Sequence, residues 1–579
     1  MKNPLRILLL ICLTSGSPAF AAKPNIIIVM PDDMGFGDLG IKGNPVIRTP
    51  NLDRFSKESA ELTHFYVSPV CSPTRACLMT GRYNYRTRVV DTFKGRSMMD
   101  PDEVTLAEAL KKAGYTTGIF GKWHLGDNHP LRAQDQGFDE VLVHRGGGLA
   151  QPSEPIANQR RYTDPILIHN GKQVQTKGYC TDIYFDAAID FMTQAKNEEK
   201  PFLAYIPPNA PHGPYHDVPE ELLEYYQSID LDPVLLSDTS DRHRDTVARV
   251  FAMIENIDQN MGKLDHFLEK KDLKKNTIVL FFTDNGPNTK RYVGPFREKK
   301  SDVHEGGIRT CFYARWPGRF PEGHRNDRIA AHIDIMPTLL EATGVQLPAN
   351  HLFDGRSVLP LLQNKNTPWS DRTLILQTHR GDRPIPEHHT AIRSQHWKLV
   401  HPTGFGNSAM PARIPFELYK IMDDPGEQTN VAASFPEEVT KLRDAYAQWL
   451  AKVSSTRPDN YQPPRISIGS PKEPVTDLSI QDWRVPPDAT GWGMRGEWHV
   501  NVLQSGPYDL AVRFDHAPGS HTLDIQVGER RFQGNLMTKD THLLIKNVEL
   551  PIGKTKVRLR ANPPLPKGSS PRFVTFRQR

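Results

Sequence analysis

Between residues 23 and 345 short apolar, β-branched runs alternate with amphipathic segments, and that alternation most constrains the fold. Runs at 25–30 (NIIIVM), 117–120, 201–206 and 277–282 (TIVLFF) read as strands. Segments 106–113 and 246–270 have helical spacing, and in the second Val250, Ile254, Ile257, Met261 and Leu264 share one face. Strands joined by crossover helices predict an α/β fold with a central, mostly parallel sheet flanked by helices.

The pattern then changes twice. From about 374 to 453, strand-like pieces at 373–377 and 397–400 precede a helix at 436–450, which predicts a smaller α+β subdomain. Residues 454–474 (SSTRPDNYQPPRISIGSPKEP) have no apolar periodicity and read as a linker with few contacts of its own. Beyond it, strict alternation in Trp498-Val500-Val502, Tyr508-Leu510-Val512-Phe514, Leu523-Ile525-Val527 and Val557-Leu559 predicts an all-β sandwich. The expected organisation is a catalytic domain at 22–370, a subdomain at 371–453, the linker, and an independent sandwich at 475–579. Trp492, Trp498 and Tyr508 would form either a sugar platform or, as is usual for alternating aromatics, the sandwich core.

A 579-residue chain requires more than one domain. Its near-balanced charge of +5 and the lack of basic blocks argue against nucleic acid as a partner. The N-terminus has a basic start, an apolar run at 7–13 too short to span a bilayer, and Ala19-Phe20-Ala21. These features read as a signal peptide over 1–21, so the mature protein is expected to be secreted or periplasmic, without an integral membrane anchor. Export leaves Cys71, Cys77, Cys180 and Cys311, enough for one or two disulfides but not for a disulfide scaffold.

Ligands of open parallel sheets sit beyond the carboxyl ends of the strands. There the chain places Asp32 and Asp33 (MPDDMG), Lys122 and His124 (GKWHLG), His212 (NAPHGP), and Asp284 and Asn285 (TDNG). Each alone reads as a turn or a hydrogen-bonded loop. Together the three carboxylates and an amide make an oxygen-only set suited to Ca²⁺ or Mg²⁺ rather than zinc. In CSPTRACLMTGR, Pro73 and Gly81 bracket a short helix with Cys71 at its N-terminus and Arg75 a turn along. Elsewhere His144, Arg145, His379 and Arg380 are candidates for gripping a sugar, with a solvated loop the competing reading for QTHRGDRPIPEHH.

CSPTR resembles the Cys-x-Pro-x-Arg motif of type I sulfatases, formylglycine-dependent members of the alkaline phosphatase superfamily. PNIIIVMPDDMGFGDLG, GYTTGIFGKWHLG, APHGP, TDNG and EGGIRT are similar to that family in the same order, over roughly 23–453. The resemblance implies that a maturation enzyme converts Cys71 to formylglycine (3-oxoalanine). It also implies that Asp32, Asp33, Asp284, Asn285 and the modified Cys71 bind one Ca²⁺. Arg75, Lys122 and His124 would orient the formylglycine hydrate, whose hydroxyl attacks sulfur. His212 and Lys300 would bind the sulfate and assist the leaving oxygen. Lys300 takes that place because it stands five residues before Glu305, although Lys299 is adjacent and FREKKSDV departs from the family's glycine-rich run.

The expected function is hydrolysis of a sulfate ester of a small molecule or glycan. The alternatives are a formylglycine-dependent phosphonate or phosphate ester hydrolase, and a catalytically silent glycan-binding protein on the same scaffold.

Overall fold

The computed structural model describes residues 23–346, 351–485, 496–566 and 568–579. The signal-peptide reading and Trp492 lie outside them. Strand Asn25–Val29 pairs in parallel with Phe202–Ile206 on one side and Thr277–Phe282 on the other. Thr116–Lys122 pairs in parallel with Phe202–Ile206, and Glu140–His144 with Thr116–Lys122. These five form the parallel centre of a ten-stranded mixed sheet. The sheet is covered on both faces, with Ile27 and Val29 in one apolar cluster and Ile26 and Ile28 in another. That double burial explains the uninterrupted apolar runs in the sequence.

Helix Asp241–Lys270 lays Val250, Ile254, Ile257, Met261 and Leu264 against the first cluster. It begins five residues before its expected start, because the Ser240 side chain caps it by accepting from the His243 N–H and its first turn is polar. An apolar stripe cannot reveal a polar turn.

Strands Leu374–Gln377, Thr390–Arg393, Trp397–His401 and Glu417–Lys420 form an antiparallel sheet. Helix Pro436–Ser454 packs Leu442 and Tyr446 against Ile375, Ile392, Leu399 and Leu418 on one face of it. Leu374, Leu376, Ala391 and Val400 face the body with Tyr66 and Cys77. Lys398 is wholly buried and pairs with Glu305 at 2.9 Å and Glu427 at 2.8 Å.

The C-terminal strands form a five-stranded and a four-stranded sheet. Their shared core holds Trp498, Tyr508, Leu510, Val512, Leu523, Ile525, Val557 and Leu559, so these two aromatics are core rather than platform. Met98 and Leu131 of the body belong to the same core. The stretch read as a linker differs from that expectation. Within it Ile466–Ile468 is a strand paired with Glu497–Val502, Arg457 pairs with Asp100 and Glu103, and Glu473 accepts from the His129 N–H. Its polar residues are ion-pair partners of the body, a role that composition does not distinguish from solvent exposure.

Candidate active site

The four central strands that end in the predicted residues are consecutive in the sheet: Thr277–Phe282, Asn25–Val29, Phe202–Ile206 and Thr116–Lys122. Their carboxyl ends therefore meet in one place. Asp32 and Asp33 follow the second of these, with Asp33 in the left-handed region at φ 65°. Lys122 closes the fourth, and its Nζ lies 2.5 Å from Asp32 Oδ2. Lys300 reaches in from the loop before Glu305, its Nζ 2.5 Å from Asp33 Oδ1. This ion pair singles out Lys300 rather than Lys299 as the lysine that meets Asp33. The Lys300 N–H bonds the Pro287 carbonyl at 3.0 Å, and helix Glu305–Ile308 after the loop packs on Gly286, where a Cβ would lie 1.9 Å from the Gly306 carbonyl oxygen.

Helix Cys71–Thr80 begins at Cys71 and ends at Gly81, whose φ of 66° suits glycine and whose N–H bonds the Cys77 carbonyl. The Thr74 hydroxyl donates to the Asp284 carbonyl at 2.7 Å, a tether the sequence reading missed although Thr74 lies inside the CSPTR stretch. Arg75 donates to Asp284 Oδ2 and to the Lys122 carbonyl, both at 2.7 Å. Cys71 is 3% exposed, and burial raises its thiol pKa against the opposing pull of Lys122 and Lys300. An unmodified thiol there is protonated at neutral pH, hence a poor nucleophile. All four cysteines among the described residues are buried and unpaired.

Burial works against the Asp32 carboxylate, but Lys122, His212, Lys300 and Arg75 together hold its pKa well below the usual range. Burial and the Asp32 charge push Asp284 up to about 7. Asp32, Cys71 and Asp284 each place a potential ligand atom within 4.8 Å of the others. Asp33, held by Lys300 and by Asn285 Nδ2 at 2.8 Å, is not in that trio. Three buried oxygens, Asp32 Oδ1, Asp33 Oδ2 and Asn285 Oδ1, make no hydrogen bond within the protein.

His124, at φ 58°, sets Nε2 2.8 Å from the Thr92 carbonyl. A carbonyl only accepts, so Nε2 carries the proton and Nδ1 presents a lone pair. Burial, then the charges of Lys122 and Arg75, keep this ring neutral. His212 is bonded the other way round, with Nδ1 2.7 Å from the Gly213 carbonyl and Nε2 3.8 Å from Asp33 Oδ2. Burial lowers its pKa while Asp32 and Asp33 oppose that shift. The outlying candidates are placed differently. His144 and His379 are buried and bonded to neighbouring backbone, and Arg145 lies 3.8 Å from Asp477 of the sandwich. Arg380 pairs with Asp91 and covers the Phe93 and Phe405 rings, so this segment is packed rather than solvated.

The Sulfatase family matches residues 24–345, more than half of the chain. The chain belongs to the sulfatase family. A second family, N-sulphoglucosamine sulphohydrolase, C-terminal, matches residues 296–455. The dog N-acetylgalactosamine-6-sulfatase is 34% identical over 531 residues, covering 83% of this chain and 94% of the relative. Bovine arylsulfatase A is 30% identical over 513 residues, covering 82% and 96%. Among solved structures, Ps i-CgsB in complex with k-i-k-neocarrahexaose aligns with a TM-score of 0.64 at 28% identity, covering 76% of this chain and 94% of that one. This sulfatase is therefore a sulfuric ester hydrolase of the alkaline phosphatase superfamily. No helix among the described residues is long and apolar enough to cross a membrane.

Proposed function

We propose that this sulfatase is exported and removes sulfate from sulfated carbohydrates, with Cys71 matured to formylglycine and one Ca²⁺ bound beside it. The observation that carries the reading is the set of buried, unbonded oxygens of Asp32, Asp33 and Asn285 beside Cys71 and Asp284. Buried polar atoms are rarely left unbonded, and an all-oxygen set fits a hard cation. Asp32, Asp33, Asp284, Asn285 and position 71 would hold it, and bound there it would make an oxygen at position 71 more acidic. The hydrated aldehyde at that position would supply the attacking oxygen, and its second hydroxyl would let the C–O bond to the transferred sulfate break, releasing sulfate and restoring the aldehyde.

The surrounding side chains account for the rest. Arg75 and Lys122 hold Asp284 and Asp32 in place, and the Nδ1 lone pair of His124 is set to accept from a hydroxyl. Lys300 offers positive charge to an incoming sulfate. His212 is neutral without substrate, and a bound sulfate ester raises its pKa, because an adjacent anion favours the imidazolium. Protonated at Nε2 from solvent as substrate binds, it would then donate that proton to the departing oxygen. The carbohydrate class rests on the names of the relatives and on the sugar bound in the i-CgsB structure. The proposed organisation is a catalytic domain at 22–370, a subdomain at 371–453, and a sandwich that includes part of the 454–474 stretch.

The test is to co-produce the protein with a formylglycine-generating enzyme and assay inorganic sulfate release from defined sulfated mono- and oligosaccharides. We expect an aldehyde at position 71 by peptide mass spectrometry, loss of turnover in Cys71→Ala, and lower activity and melting temperature on chelation, restored by Ca²⁺ but not zinc. Phosphonate ester hydrolysis without sulfate release, or full turnover by Cys71→Ala, would overturn the reading.

A further inference from the structure

The sandwich meets the body next to the strand-end cluster. Residues 91–96 form a tight loop in which the Val90 and Asp91 N–H groups both bond the Arg96 carbonyl. Thr92 sits at its start, its N–H bonded to Asp91 Oδ1 at 2.7 Å. The Thr92 carbonyl accepts twice: from His124 Nε2 at 2.8 Å and from Gln481 Nε2 at 3.1 Å. Gln481 belongs to the segment between strands Val475–Ser479 and Glu497–Val502 of the sandwich, and it is 1% exposed. Its backbone carbonyl in turn accepts from the Gly95 N–H at 2.8 Å. Gly95 has a φ of 65°, and a Cβ there would lie 2.6 Å from the Asp482 carbonyl oxygen. Arg96 and Arg484 share Asp382, at 2.7 and 2.8 Å. The loop is thus clamped at both ends by one segment of the sandwich.

We propose that Gln481 is a positioning residue for His124, acting through the Thr92 carbonyl. The proposal rests on His124 serving the reaction as described above. A carbonyl held by two donors has its direction fixed, and the direction of that carbonyl decides which ring nitrogen of His124 keeps the proton. Without the Gln481 donor the Thr92 carbonyl keeps only its bond to His124, and its direction is less firmly set. The ring then loses its preference for the Nε2–H tautomer, the form that leaves Nδ1 able to accept. Gly147 confines the ring further, since a Cβ there would lie 2.3 Å from His124 Cε1. The sandwich would thereby contribute to turnover on every substrate, however small, rather than only to the capture of a polymer.

The experiment uses the full chain with Gln481→Met, matched in length but without a donor, and Gln481→Leu as a smaller alternative. In ¹⁵N-histidine-labelled protein the His124 signals are assigned by their loss in His124→Gln. We expect an Nε2–H tautomer in the parent chain and a mixed or reversed tautomer in the Gln481 variants, with melting temperatures near the parent's. This readout needs neither formylglycine nor metal. In matured enzyme, kcat on a small aryl sulfate should fall roughly 10–100-fold, the range for groups that orient a catalytic ligand, with KM little changed. An unaltered His124 tautomer with parental kcat in either folded variant would overturn the proposal. So would failure of both variants to fold, which would make Gln481 a residue of the fold alone. Full turnover in His124→Gln would instead defeat the role assigned to His124, while the tautomer measurement would still decide whether Gln481 controls the ring.

Discussion

The strand-end cluster and the cluster around Lys398 both bury carboxylates against cations, and they differ in what is left over. Around Lys398 every carboxylate oxygen lies within 3.1 Å of a cation or a donor, although Glu427 Oε1 meets Lys398 at 2.8 Å as an ion pair without an aligned hydrogen bond. Glu305 meets Lys398, Arg309 and Tyr66, while Glu427 meets Lys398 and the Glu305 N–H. At the strand ends Asp32 Oδ1, Asp33 Oδ2 and Asn285 Oδ1 have none, although Asp32 and Asp33 each hold a lysine. A satisfied buried network joins parts of a fold, whereas an unsatisfied one has to be completed by something from outside. Charge and burial alone do not separate the two; the bonding of each oxygen does.

Three substitutions test that separation. Asp284→Asn should have the largest effect, cutting turnover on the order of a hundred- to a thousandfold and abolishing the rise in melting temperature on adding Ca²⁺. Because burial and Asp32 disfavour the Asp284 charge while Arg75, 2.7 Å away, favours it, the two effects oppose one another and the melting temperature of the metal-free variant should stay near the parent's. A marked fall in metal-free stability would place Asp284 among the structural acids and break the comparison. Lys398→Met should do the reverse. It strands two buried carboxylates, at a cost of roughly 3–5 kcal/mol by denaturant unfolding, yet should leave the Ca²⁺-induced rise intact. A variant as stable as the parent would show that the network joins nothing.

The smallest effect concerns His304, beside the Lys398 cluster. Burial opposes its charged form, but hydrogen bonds to Asp302 and Glu417 and the charge of Glu427 lift its pKa to about 9. A pKa raised in the folded state stabilises fully below the unfolded value near 6.5 and is lost as pH rises through 9. Unfolding free energy should therefore decline by on the order of 2–3 kcal/mol between pH 6.5 and 9.5, and His304→Gln should flatten that decline. Equal slopes in the two proteins would remove His304 from the network.

Four of the five central parallel strands were legible to within a residue or two because burial on both faces admits only apolar side chains, whereas the sequence reading missed Glu140–His144, whose apolar run is shorter. Asp32, Asp33, Lys122, His124, His212, Asp284 and Asn285 were legible because each lies at or beyond the end of such a strand, Cys71 and Arg75 because CSPTR opens a short helix, and Lys300 through the offset from Glu305 that the family resemblance implies. Other features left no trace. Strands Ala60–Leu62 and Phe65–Tyr66 are shorter than any period that could announce them. Residues 454–474 have a linker's composition but bond the body through ion pairs, whose partners composition does not name. Thr92 acts through a backbone carbonyl that any residue would supply, and Gln481 lies 389 positions away. A contact of that kind is made by the fold, not by a motif.

The burial of Cys71 also bears on the order of events in time. A side chain 3% exposed at the start of a helix, tied through Thr74 to a strand end more than two hundred residues later, is closed off once that strand docks. An enzyme that oxidises this thiol has to meet it earlier, while residues 71–81 are still an open peptide. The opportunity for the proposed conversion would then end with the completion of the sheet, and molecules that fold first would remain thiols. With Cys71 matured as proposed, the yield of active enzyme would be set by a race between folding and modification, and slowing the docking of 277–282 should raise the converted fraction without touching the site.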